Sequence, residues 1–209
     1  QDVITLASSG TGAMEASIVN TLSPGDAILC VNGGKFGERW MKMGKTFGLN
    51  VEELKVEWGK AVDPAAIEAA LKKRPEIRAV LVQASETSTT VLHPVEQIAS
   101  ITRTRDTLLM VDGITSVGVT DMPMDRWGID VLVSGSQKAF MLPPGLAFIA
   151  FSERAWKATE TAKLPRFYFD LKRERDNLHK NTTAYTPAIN LIYALNQALD
   201  MILAEGLPN

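Results

Sequence analysis

Short stretches of this sequence gather residue types that can do chemistry. In Ser134-Gly135-Ser136-Gln137-Lys138 one lysine follows the apolar run Val131-Leu132-Val133 and precedes Ala139, Phe140, Met141 and Leu142. An amine sheltered by apolar neighbours is partly stripped of water, which favours its neutral, nucleophilic form and opens Schiff-base chemistry to it. In Leu108-Leu109-Met110-Val111-Asp112-Gly113 an apolar run ends in a carboxylate. Such a group can bind a metal, act as a base or pair with a protonated ring nitrogen; its plainer use is to cap the turn that follows. Ser8-Ser9-Gly10-Thr11-Gly12-Ala13-Met14-Glu15 leads from small and hydroxyl residues into a helical pattern. That is a phosphate site if backbone N–H groups and hydroxyls converge, or a tight turn with Ser9 or Thr11 as N-cap. It matches neither the P-loop, which needs a lysine after its second glycine, nor the full dinucleotide fingerprint. Ser85-Glu86-Thr87-Ser88-Thr89-Thr90 collects hydroxyl donors, and Phe36 is a lone aromatic in the glycine-rich Asn32-Gly33-Gly34-Lys35-Phe36-Gly37-Glu38-Arg39.

The elements that must position these residues are legible as runs of strand length at 27–31, 51–56, 79–83, 108–111, 131–134 and 147–151. Most are continuous rather than alternating, the pattern of strands covered on both faces. Between them, residues 13–22, 36–47, 64–73 and 94–103 carry apolar side chains three and four apart, the last two with proline near the first turn. The alternation predicts an α/β fold of three α/β/α layers around a mostly parallel, doubly wound sheet, whose ligands bind outside the carboxyl ends of the strands. Residues 157–180 are rich in Lys, Arg and aromatics, and 187–203 read as a helix with Leu191, Leu195, Leu199 and Ile202 on one face. That helix is expected to return to the core or to lead into a further domain. The opening directly on a strand without methionine, and the end just after a helix, suggest one domain excised from a longer chain.

The 209 residues carry 22 Lys+Arg against 24 Asp+Glu, a net charge of −2, with 45% hydrophobic residues, the balance of an ordinary globular domain. No basic block provides the footprint that nucleic acid or an anionic membrane requires, no stretch approaches the ~18 to 20 apolar residues of a membrane span, and the opening QDVITLASSG lacks the basic and apolar regions expected of a signal peptide. Cys30 alone can form no internal disulfide, and with only His93 and His179 beside it no metal site is expected. A reduced thiol fits a cytoplasmic setting.

Taken together, Ser-Gly-Thr-Gly-Ala-Met-Glu-Ala (9–16), Asn-Gly-Gly-x-Phe-Gly-Glu-Arg (32–39), Glu-Thr-Ser-Thr (86–89), Val-Asp-Gly-Ile-Thr-Ser (111–116) and Ser-Gly-Ser-Gln-Lys (134–138) resemble one family across essentially the whole chain. It is the class V, fold-type I aminotransferases that use pyridoxal 5′-phosphate, and within them most of all the alanine–glyoxylate and serine–pyruvate branch. Ser-Gly-Ser-Gln-Lys-Ala followed by Pro143-Pro144-Gly145 is the most specific piece. The resemblance implies that Lys138 is the internal-aldimine lysine, which also shuttles the proton between Cα and C4′. It implies that Asp112 pairs with the pyridine N–H and so preserves the electron sink. It places Phe36 and Ile114 on the two faces of the ring, Ser9, Gly10 and Thr11 with Gln137 at the phosphate, and Thr87 toward the phenolic edge. Thr183 and Thr186, beside Tyr185, are implied to reach the phosphate of a neighbouring subunit in a homodimer. The implied substrates are a small amino acid, alanine or serine, and a 2-oxo acid, glyoxylate or pyruvate.

This chain reads Ser88-Thr89-Thr90 where members of that family commonly read Ser-Thr-Gly. The family's N-terminal arm, and the C-terminal small domain with its substrate-carboxylate arginine, find no counterpart in these residues. The large, cofactor-binding domain is therefore what residues 1–209 are expected to form. One rival is another class V enzyme, a 2-aminoethylphosphonate aminotransferase or a lyase; a cysteine desulfurase needs a mobile-loop cysteine, and Cys30 lies in a predicted strand. The other rival is a non-catalytic phosphate-ligand-binding domain in which Lys138 is only structural.

Overall fold

Apolar strands joined by amphipathic segments can bury both only if the strands form a sheet and the helices cover its faces. The computed structural model describes residues 2–206 in that arrangement. In chain order the elements are β1 (Val3–Ser8), α1 (Gly10–Thr21), β2 (Ala27–Asn32), α2 (Lys35–Thr46), β3 (Asn50–Lys55), α3 (Pro64–Lys73), β4 (Ala79–Gln83), β5 (Ser85–Glu86) and β6 (Val91–Leu92). They continue with α4 (Val95–Thr102), β7 (Leu108–Asp112), α5 (Met124–Trp127), β8 (Val131–Gly135), β9 (Gly145–Phe151), α6 (Glu153–Ala158), α7 (Leu171–Leu178) and α8 (Ile189–Glu205). The main sheet has 7 strands in the order β1-β9-β8-β7-β4-β2-β3.

β2, β3, β4, β7 and β8 pair in parallel, whereas β9 runs antiparallel to both β8 and β1. The reversal has a plain cause: residues 136–144 between β8 and β9 are too few for a crossover helix, so the chain must come straight back. β2, β4 and β7 are buried at every position, as their continuous apolar runs require. β3 is the outer strand, and its Glu52, Glu53 and Lys55 stand on the free edge, where charge discourages further pairing.

α1, α2, α6 and α7 cover one face around Ile18, Trp40, Leu81, Met110 and Phe151. α3, α4 and α5 cover the other around Ile67, Leu71, Val80, Val82 and Ile98. The segment after β9 is fastened back onto the first helix: Asn20 Nδ2 donates to the Phe169 carbonyl at 2.6 Å and its Oδ1 accepts from Leu171 N–H at 3.0 Å. Arg175 and His179 both meet Asp2 at the start of the sheet, at 2.8 and 3.0 Å.

Some expectations shift. α1 starts at Gly10, ahead of the periodic apolar residues, because the small residues before them already have helical geometry. α4 takes Pro94 as its N-cap rather than inside the first turn. The apolar face of α8 returns to the molecule only loosely: Ala198 is its buried residue, Leu195 and Leu199 border an apolar groove over β8 and β9, and Ile189, Tyr193 and Leu203 are exposed. Among the described residues no helix is long and apolar enough to cross a membrane.

β5 and β6 form a small hairpin after β4, and its turn holds Thr90 at φ 56°. A β-branched residue in the left-handed region crowds its own backbone at a cost of roughly 1–2 kcal/mol. Thr90→Gly is therefore expected to raise stability by about 1 kcal/mol in urea titrations, and an unchanged midpoint would show that the turn is not strained. Trp40→Ala, which empties the fully buried position behind α2, is expected to lower stability by about 3–5 kcal/mol in the same assay.

Candidate active site

α1 packs over β8 and β9 and α2 over β2 and β4, so the two helices straddle β7, which lies between β8 and β4. Both helices follow directly on strands that point the same way, which brings their N-termini to the carboxyl edge of the sheet on either side of Asp112. A cleft opens there. Ser9, Gly10 and Thr11 line it from the start of α1, Phe36 and Arg39 from the first turns of α2, and Ser85 and Thr87 from the turn after β4. Asp112, Ile114 and Thr115 come from the end of β7, Gln137 and Lys138 from the turn after β8.

Every residue singled out from the sequence between Ser9 and Lys138 thus converges on one place. Thr183 and Thr186 do not. They are exposed and border a separate hollow with Ala7, Tyr168, Tyr185 and Ile192.

Asp112 is 5% exposed, and its Oδ1 accepts a hydrogen bond from the Ile114 N–H at 3.0 Å. Burial pushes its carboxyl up from 3.8 to about 6, against the opposing pull of that hydrogen bond and of the Arg39 and Lys138 charges. Ser9 is the N-cap of α1, yet its hydroxyl makes no capping bond; the N–H groups of Gly12 and Ala13 close on its carbonyl instead. The N–H groups of Gly10 and Thr11 precede the first helical bond and are available to an anion. A Cβ on Gly10 would run into Ile114 Cδ1, so glycine is what lets that side chain close against the helix start. Gln137 Oε1 is buried and finds no partner among the described residues.

Sequence reasoning missed Arg39, Thr115 and the part played by Glu86. Arg39 Nη1 donates to Thr11 Oγ1 at 2.8 Å, and its guanidinium lies 4.8 Å from the Phe36 ring centroid. Its spacing three residues after Phe36 was the available signal, because that interval shares a helix face. Thr87 Oγ1 donates to Thr115 Oγ1 at 3.1 Å, joining two walls of the cleft. Lys138 departs from expectation. It is exposed rather than sheltered, since Phe140 turns away to pack on Phe148, ring centroids 5.0 Å apart, and Met141 is 62% exposed.

The cleft has a carboxyl floor, Asp112, and a rim carrying two cations, Arg39 and Lys138, and the uncapped N-terminus of α1. It suits a ligand that is anionic at one end and offers a protonated nitrogen at the other. Cys30 lies in β2 with its thiol pushed up to about 12 by burial, which makes it a poor nucleophile. No group of three or more His, Cys, Asp or Glu among the described residues is placed to hold a metal.

Residues 1–208 match the family described as Aminotransferase class-V. The chain belongs to that family. As a class-V aminotransferase it is 45% identical to the L-aspartate–glyoxylate aminotransferase of Paracoccus denitrificans, a match covering 97% of this chain and 52% of that protein. It is 48% identical to a soluble hydrogenase 42 kDa subunit from Anabaena cylindrica, covering 99% and 55%. The crystal structure of an alanine–glyoxylate aminotransferase from Nostoc sp. superposes with a TM-score of 0.94 at 33% identity, covering 99% of this chain and 55% of that one. The chain spans about half the length of the curated relatives it matches.

Because the folded chain holds the Asp112 proton more tightly than the unfolded chain, the contribution of this group to the stability of the ligand-free protein should fall as pH rises from 3.8 to about 6, then level off. The fall attributable to this group is on the order of 2–3 kcal/mol. Asp112→Asn should abolish it and leave a variant more stable than wild type above about pH 6. Denaturant midpoints across that range decide the matter; parallel curves for the two proteins would show that Asp112 is not destabilised by burial.

Proposed function

We propose that this chain is the large domain of a pyridoxal-phosphate-dependent aminotransferase, which exchanges an amino group between a small amino acid such as alanine or serine and a 2-oxo acid such as glyoxylate or pyruvate. The observation that carries the reading is that Lys138 and the buried Asp112 share one cleft between two helix N-termini. Family membership supports it, as do the glyoxylate aminotransferases among the relatives. The chain's span of about half those relatives leaves room outside it for the arginine that would clamp the substrate carboxylate.

The residues present fit the cofactor. A buried carboxylate without a cation is costly, and a protonated pyridine nitrogen at Asp112 would relieve that cost. The uncapped start of α1 leaves N–H donors in the same cleft open to an anion. When bound, the group supplies an electron sink for the carbanion left as an amino acid loses its Cα proton. Asp112, ionised beside the ring, holds the nitrogen's proton in place. Ser9, Gly10 and Thr11 bind the phosphate with backbone N–H groups and hydroxyls, and Gln137 turns its amide to the same oxygens. Phe36 and Ile114 would wall the two faces and exclude water, while Thr87, on turning its hydroxyl from Thr115 Oγ1, would donate to the oxygen on the ring's edge. The Lys138 amine would hold the cofactor and, when free, would be the group on this cleft able to take up and return the Cα proton.

The same reading makes the enzyme a homodimer. Thr183 and Thr186, exposed and away from their own chain's cleft, would complete the phosphate end of a second copy's site, Thr183 on releasing its bond to the Tyr185 carbonyl. A lone, buried, reduced thiol is consistent with a cytoplasmic enzyme.

The deciding experiment treats the protein with pyridoxal phosphate, reduces with borohydride and maps the modified peptide by mass spectrometry. A single adduct on Lys138, absent in Lys138→Ala, is expected; no adduct, or scattered adducts on other lysines, would refute the assignment. In the full-length enzyme Asp112→Ala should lower turnover by about 100-fold or more while Lys138 still forms the adduct, and unchanged turnover would remove Asp112 from the mechanism.

A further inference from the structure

Helix α2 has no cap of its own. Its N-cap residue is Gly34, and a Cβ there would lie 2.5 Å from the Glu86 carboxyl carbon and from Ser88 Oγ, so no capping side chain fits. The first N–H groups of the helix are taken instead by the turn after β4. Ser88 Oγ accepts from Lys35 N–H at 2.9 Å, and Glu86 Oε2 accepts from the N–H groups of Phe36 and Gly37, each at 3.1 Å. The other carboxylate oxygen, Oε1, accepts from Ser88 N–H at 3.2 Å and from Ser88 Oγ at 2.5 Å.

Glu86 is 0% exposed. Burying a carboxylate is an expensive way to cap a helix that a serine or aspartate at the N-cap could cap locally. What the borrowed cap adds is a tether between two walls of the cleft. Ser85 and Thr87 flank Glu86 on one wall; Phe36, whose own N–H it binds, forms the other, and Arg39 one turn on reaches across to Thr11. The hydrogen bonds are charge-assisted and lie at the positive end of the α2 dipole, which makes the tether stiff.

We propose that Glu86 is a positioning residue of this site: through the N–H groups of Phe36 and Gly37 its carboxylate fixes the Phe36 ring at the spacing needed to stack on the cofactor. The proposal rests on the functional reading above. It assigns Glu86 no contact with cofactor or substrate.

The test uses full-length wild type, Glu86→Ala, Glu86→Gln, Phe36→Ala and the Glu86→Ala/Phe36→Ala double variant. Affinity for pyridoxal phosphate, the visible circular dichroism of the bound cofactor, and amide exchange at Phe36 and Gly37 in the cofactor-free protein are measured on each. Glu86→Ala should weaken capture by about tenfold, diminish the dichroic band and speed exchange at both amides to a similar degree. Glu86→Gln, which keeps one oxygen for the helix, should fall between it and wild type. On the Phe36→Ala background, Glu86→Ala should cost less than about a further twofold, because the wall it positions is gone.

A folded Glu86→Ala protein with wild-type affinity and dichroism would overturn the proposal, as would fully additive losses in the cycle. If Glu86→Ala does not fold, Glu86→Gln carries the same cycle with the same criteria. A wild-type protein that captures no pyridoxal phosphate would overturn the functional reading itself. A Glu86 effect on amide exchange alone would then mark a purely structural cap.

Discussion

The structure is organised around a carboxylate kept where water cannot solvate it. Asp112 ends β7, a strand buried at every position, and is only 5% exposed. Its carboxyl is pushed up to about 6, so the ligand-free chain holds a group whose ionised form is disfavoured until something positive meets it. Around it stand Arg39, Lys138 and the open N-terminus of α1, and neither cation forms a direct ion pair with it among the described residues. A site built this way is selective by electrostatics: it favours a ligand that brings its own positive nitrogen to the floor and its negative charge to the rim.

Parallel strand order makes the cleft possible. With β2, β4, β7 and β8 all pointing one way, the turns after them collect on one edge, and helices that begin there present N–H groups to the same space. The two flanking helices are used differently. α1 leaves its N-cap hydroxyl unengaged, so its first N–H groups are available to an anion. α2 has its first N–H groups occupied by Glu86 and Ser88, so it serves as a fixed platform for Phe36 and Arg39. Glycine decides both cases, at position 10 by admitting Ile114 and at position 34 by admitting Glu86.

The remainder of the fold keeps this edge still. Trp40 anchors α2 in the core, and Asn20, with both ends of its amide bonded to the 169–171 backbone, joins α1 to the segment after β9. α8 is held less firmly, with Leu195 and Leu199 bordering an apolar groove and a line of apolar side chains facing outward.

Local pattern is enough to dictate the sheet-and-helix alternation, because continuous runs such as 79–83 and 108–111 can be satisfied only by strands covered on both faces. It also named most of the cleft, since residues that end buried strands must gather at one edge: Lys138, Asp112, Phe36 and the Ser9–Thr11 turn all arrive there. What it left undetermined depends on partners distant in the chain. The reversal of β9 follows from a short connection and a free strand edge, which periodicity does not encode. Lys138 stands exposed because its apolar neighbours in sequence, Phe140 and Met141, turn away from it in space. Glu86 reads in the sequence as one polar residue in a hydroxyl-rich turn; only the packing of that turn against α2, some fifty residues away, buries its carboxylate and gives it two amides to hold. Local pattern dictates which face of an element is apolar, whereas charge burial and hydrogen-bond pairing are settled by which elements meet.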